Sequence, residues 1–89
     1  MKVVAFIQSI NIGSVKFQSA FWAGKSEGTP APKEHDRYVP DVGVKPDTFP
    51  VKRSDLFRKN IDKAYLAKVK ERPVWLTIEE GLITLVEDV

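Results

Sequence analysis

The sequence predicts an α+β fold: a four-stranded, mainly antiparallel sheet made of two hairpins, with one α-helix packed on one face and a long Pro-rich extended arm. Three observations predict it. Two stretches, "VVAFIQSINIGSVKFQSAFW" and "VWLTIEEGLITLVE", are rich in β-branched and aromatic residues, and each is interrupted by a glycine-containing turn. Residues 54–71 repeat apolar side chains at helical spacing. Between the first hairpin and the helix, Gly28–Pro50 holds five of the six prolines of this 89-residue chain, and so much proline forbids helix and central strand alike.

Residues 3–22 read as the first hairpin. With Ile12-Gly13 as a two-residue loop, Ile10 faces Val15, Gln8 faces Phe17, Phe6 faces Ser19 and Val4 faces Phe21. One side then collects Val4, Phe6, Ile10, Val15, Phe17 and Phe21 as the core face. The other side carries Val3, Ile7, Lys16, Gln18 and Trp22. Isoleucine is a poor residue for a turn position that needs positive φ.

Residues 25–52 read as the arm. A connection longer than about 12–15 residues without structure of its own is uncommon inside a small domain and usually functional. Apolar residues recur along its second half, at Tyr38, Val39, Val42, Val44, Phe49 and Val51. A proline-stiffened chain has little conformational entropy left to lose, so it orders cheaply against a surface. The expectation is that Tyr38, Val42, Val44 and Phe49 anchor the arm, either on its own domain over Trp22 and Trp75 or on a neighbouring subunit.

Residues 54–71 read as the helix, with Ser54 as N-cap, Asp55 at the positive end of the dipole and Pro73 as the stop. At 100° per residue Phe57, Ile61, Ala64, Tyr65 and Val69 form the core stripe. Leu56 and Leu66 lie toward the opposite side, with Lys59, Lys63 and Lys70 between them. Residues 74–87 read as the second hairpin, turning at Glu80-Gly81. A two-residue loop sets Ile78 opposite Ile83, Leu76 opposite Leu85 and Val74 opposite Glu87 on one face. Trp75 faces Val86, and Thr77 faces Thr84, on the other.

The totals narrow the function. A chain this short is a single domain and folding hides only about 60% of its unfolded surface, so its core must be efficient or helped by a partner. Cysteine is absent and histidine occurs once, which removes disulfides, thiolate metal sites and His clusters and leaves only an all-carboxylate site open; no metal and no cofactor is expected. No run approaches the roughly 20 apolar residues of a membrane span, and "MKVVAFIQSINIG" does not read as a signal peptide. The expected location is cytoplasmic or virion-associated, not secreted. The net charge of +2 is uneven: residues 53–72 carry seven Lys/Arg and three Asp/Glu, whereas residues 73–89 carry four Asp/Glu and no Lys/Arg. The two segments can compensate each other.

Candidate constellations are few. Trp22 and Trp75 fall on the sheet face opposite the main core, with Lys16 on the same side of its strand as Trp22. Exposed indoles beside cations can stack on bases, and they can equally be covered by the arm or by a partner. Lys52, Lys59, Lys63 and Lys70 form a basic stripe able to meet phosphates, although a solvated helix face explains such a stripe as well. The flanking Leu56 and Leu66 make the stripe a candidate protein contact. "KEHDRY" gathers Glu34, His35, Asp36 and Arg37, but neighbours on an irregular segment rarely converge on one atom, and no nucleophile signature accompanies them. "GKSEG" lacks the spacing of a phosphate loop.

The function expected from the sequence is therefore a non-enzymatic protein–protein interaction or assembly module. It would act on a protein partner or on itself as a homo-oligomer, through Tyr38, Val42, Val44, Phe49, Trp22, Trp75, Leu56 and Leu66. Small size, the lack of cysteine and the long arm point to a structural or accessory protein of a phage or virus. The alternative is a small nucleic-acid-binding protein that uses the basic helix, Lys16 and the tryptophans.

Overall fold

In the computed structural model, which describes residues 1–23 and 37–89, one helix packs against a mostly antiparallel sheet. The elements are β1 (Lys2–Asn11), β2 (Ser14–Trp22), β3 (Tyr38–Pro40), β4 (Asp47–Pro50), α1 (Phe57–Lys70), β5 (Pro73–Glu79) and β6 (Leu82–Asp88). Among the described residues the sheet has six strands rather than four. Its order is β3-β2-β1-β5-β6, and β4 also pairs with β2.

The two extra strands come from the proline-rich segment. β3 lies antiparallel to the far end of β2, with Trp22 opposite Tyr38 and Ala20 opposite Pro40. β4 lies along its near end, with Val15 opposite Phe49 and Phe17 opposite Asp47. Together they are one interrupted partner strand for β2. Proline is tolerated there because the pieces are short and lie at the margin of the sheet. The expected arm is thus corrected over its second half, where it is strand, loop and strand. Its first half, together with Glu34, His35 and Asp36, lies outside the described residues.

Both predicted turns form. Ile12-Gly13 and Glu80-Gly81 adopt successive positive φ values of 46° and 81°, and 53° and 76°, the signature of type I′ hairpins. Beyond each turn one strand carries an extra residue. In β1 the pairing moves from Ser9–Lys16 to Ile7–Phe17, so Gln8 is bulged. In β6 it moves from Ile78–Ile83 to Thr77–Leu85, so Thr84 is bulged. A one-residue offset exchanges the faces of everything past it. Ala5 and Ile7 therefore enter the core with Val3 packed beside them, while Val4 and Phe6 turn to the outer side. Val86 replaces Leu85 opposite Leu76, and Trp75 faces Glu87. Phe21, expected in the core, is exposed near the end of β2.

The helix starts three residues later than expected. Ser54 caps a preceding turn, its Oγ accepting from the Leu56 amide at 3.2 Å. The chain leaves α1 through Glu71 in the left-handed region, just before Pro73. The buried positions are Asn60, Ala64 and Ala67, flanked by Phe57 and Ile61. This stripe is rotated from the expected one, so Tyr65 and Val69 are exposed. The cause is the buried asparagine. The Asn60 side chain donates to the Thr84 carbonyl at 3.1 Å and accepts from the Val86 amide at 3.0 Å, which turns α1 toward the edge of β6.

The core holds Val15, Val74, Leu76, Ile83 and Val86, each almost fully buried. The sheet curls around them until Val51, just past β4, meets Ile83 in a parallel bridge. The Lys52 amide donates to the Ile83 carbonyl across that seam at 2.9 Å. β1, β2 and β4 follow one another, and β5 returns beside β1: this is the spatial order of a Greek key, here partly closed into a barrel.

Candidate functional site

The outer face of the sheet carries an aromatic cluster. On β5, Val74 and Leu76 point into the core, so the pleat turns Trp75 outward. Trp22 ends β2 and is 48% exposed. Tyr38 enters opposite Trp22 and contacts both indoles edge-on. Its ring centroid lies 5.1 Å from Trp22 at 73° and 6.2 Å from Trp75 at 79°. β3 and β5 are separated by β2 and β1, so Tyr38 and Trp75 reach over both strands to meet. By register, Val4 and Ala20 lie at the same level, Val4 opposite Trp75 and Ala20 opposite Pro40. Bulky rings thus arch over small side chains.

Two cations flank the rings. Lys2 Nζ sits 5.4 Å from the Trp75 centroid, and the Arg37 guanidinium 5.9 Å from Trp22, both within range of a cation–π contact. Lys2 also meets Glu87 at 3.6 Å. Each edge-to-face pair adds roughly 0.5–1.5 kcal/mol beyond the area it buries. The rings are therefore held in place before any ligand arrives, and a ligand stacking on them would not have to order them.

A small ridge stands beside this cluster. β3 and β4 are separated by residues 41–46, and Gln18 fastens that excursion to the sheet. Gln18 alternates with the core residue Phe17, so its side chain leaves the outer face. Its amide donates to the carbonyl of Asp41 and, at 2.6 Å, to that of Val44. Gln18 is only 8% exposed as a result. The turn is tied further by Asp41 N to the Ser19 carbonyl at 2.8 Å, Val44 N to the Asp41 carbonyl at 3.1 Å, and Gly43 N to Asp41 Oδ1 at 3.2 Å.

The remaining predicted residues are scattered. Phe49 stacks on Phe17 at 6.0 Å and packs against the core. Val42 and Val44 are exposed, as are Leu56 and Leu66. Lys16 borders a shallow depression with Ser9, Asn11, Ser14 and Thr48; it lies six residues along β2 from Trp22, about 20 Å away. Lys52, Lys59 and Lys70 are exposed. Lys63 pairs with Asp88 at 3.2 Å, so the basic helix and the acidic last strand do compensate locally. The helix lysines stand on α1, which packs on the core side, and they do not join the tryptophans.

Sequence reasoning missed Lys2 and the contact made by Arg37. Lys2 shares a strand face with Val4, and the Gln8 bulge carries both to the outer side. Arg37 was visible only as part of "KEHDRY". Among the described residues, no cluster of three or more His, Asp or Glu side chains could hold a metal ion, and no helix is long and apolar enough to cross a membrane. No protein-family model, curated protein or solved structure matches the chain.

Proposed function

We propose that this chain is a non-enzymatic module that binds single-stranded nucleic acid on the outer face of its sheet. The observation that carries the reading is the Trp22–Tyr38–Trp75 cluster with Lys2 and Arg37 against its rings. Bases of any sequence can stack on exposed aromatic side chains, and nearby cations meet the phosphates. Duplex DNA keeps its bases stacked inside and offers no such partner. Topology gives secondary support. With β3 and β4 counted as one interrupted strand, the order approaches the five-stranded, partly open Greek-key barrel of the OB-fold, which takes oligonucleotides over its second and third strands. The likeness is one of architecture alone, and the side chains of the ring cluster carry the reading.

The test is filter retention of an end-labelled oligothymidylate at low salt. Binding should weaken linearly on logarithmic axes as salt rises, with a slope of about −0.7 per phosphate contacted. Trp22→Ala should weaken it by about 5- to 150-fold, the value of one stacked base. Absence of retention at the lowest salt, or equal retention of a duplex, would exclude the proposal.

A second reading, a protein-binding or assembly module of the phage or virus type, has its own support. Tyr65, Leu66 and Val69 expose a contiguous apolar strip on the outer side of α1, and contiguous apolar surface on a small chain marks a contact. Its mass in solution separates the readings: a monomer at every concentration removes self-assembly, and a Leu66→Glu change that dissolves an oligomer supports it.

A further inference from the structure

We infer that the Asp41–Val44 ridge is the wall of the proposed single-strand site, and that Val42 packs against a base at the end of the aromatic cluster. The inference rests on that reading of the outer face. Val42 is 92% exposed, so its isopropyl group contributes almost nothing to the core. Yet the turn that carries it is held by five hydrogen bonds, two of them from the single side chain of Gln18. A firmly held turn that displays an apolar tip is costly in ordering and yields no stability of its own.

Position decides what the tip can reach. Tyr38 and Pro40 are alternate residues of β3, paired with Trp22 and Ala20 on the outer side. β3 ends at Pro40, and the turn that carries Val42 is held on the outer side by Gln18, whose side chain leaves that face to reach the Asp41 and Val44 carbonyls. Pro40 is exposed as well. Tyr38 and Pro40 therefore lead from the ring cluster to the ridge, whose exposed side chain, Val42, is apolar and not charged. A base leaving the stack at Tyr38 would find the Pro40 ring and then the Val42 side chain. Beyond the ridge lies the depression at Lys16, which the wall separates from the cluster.

The chemistry gives a diagnostic that a phosphate contact does not share. An apolar contact to a base adds affinity without releasing counterions, so it leaves the salt slope unchanged. Val42→Ser should retain the thermal midpoint of the parent chain, weaken oligothymidylate binding about 3- to 10-fold, and keep the same slope. Val42→Lys should steepen the slope by about 0.7, because a cation placed at the strand joins the phosphate count. If the parent chain binds but neither variant changes affinity or slope, the ridge lies outside the site and the inference is overturned while the ring-cluster reading stands. If the parent chain does not bind at all, the reading beneath it falls first.

Discussion

Ile12 is a β-branched residue at φ 46°, 91% exposed, at the tip of the first hairpin. The left-handed region crowds its side chain against its own backbone, and no packing offsets that strain. Its neighbour Gly13 is better matched to its place. A Cβ there would come within 3.1 Å of Arg53 Nη2 and 3.4 Å of Phe57 Cζ, so the helix entrance fits closely over a bare backbone. Gly81 has the same sign of φ but nothing within 4 Å, and its requirement is conformational alone. Ile12→Asn should therefore stabilise the fold by about 0.5–1.5 kcal/mol, read as a rise of about 4–8 °C in melting midpoint per kcal/mol. A midpoint that stays or falls would mean that Ile12 is held by a contact worth as much as its strain. Both turns were legible in the sequence, since glycine at the second turn position is a local signal. The cost at Ile12 was legible too, as an objection to the same turn.

β6 is the outer strand of the ladder, and α1 shields its edge by one polar side chain. Asn60 is 1% exposed and serves two backbone groups of β6 at once. Asn60→Ala should cost about 1–3 kcal/mol in urea denaturation, because it strands a buried amide and a part-buried carbonyl. Asn60→Leu should cost at least as much although it is more apolar. An unchanged midpoint for either would show that water serves β6 as well as the amide does. This device was not legible in the sequence. An asparagine at helical spacing reads as a surface residue, and placing the stripe on apolar residues alone rotated the predicted face toward Tyr65 and Val69. The bulges were hidden for a different reason. "VVAFI" is apolar at five successive positions, so it satisfies either pleat parity and cannot reveal a one-residue offset. The second hairpin hid its bulge the same way, with Leu85 and Val86 adjacent and both apolar. Which strands pair was readable from the turns; which side each residue faces, beyond the bulge, was decided by tertiary packing.

At the scale of the molecule, closure of the sheet rests on a narrow seam. Val51 bridges Ile83, and the Lys52 amide reaches the Ile83 carbonyl. The β1–β5 ladder, by contrast, runs over five consecutive pairs. The Lys52 amide should exchange with solvent well ahead of Leu76, through local opening of the seam. Equal rates would mean that the barrel opens only by unfolding throughout. The proline-rich segment supplies one lip of this seam, a role that composition could not announce: prolines exclude regular structure locally, and the pairing of β3 and β4 with β2 depends on partners more than 15 residues away. The clustering of Trp22 and Trp75 around a single tyrosine also has an optical consequence. Both indole chromophores of the chain report on one patch of one face, while the helix and the seam carry none. Tryptophan emission will follow the loosening of that patch, and far-ultraviolet dichroism will follow the regular structure, α1 included. Coincidence of the two transitions on denaturation would establish that the outer face and the helix melt as one cooperative unit.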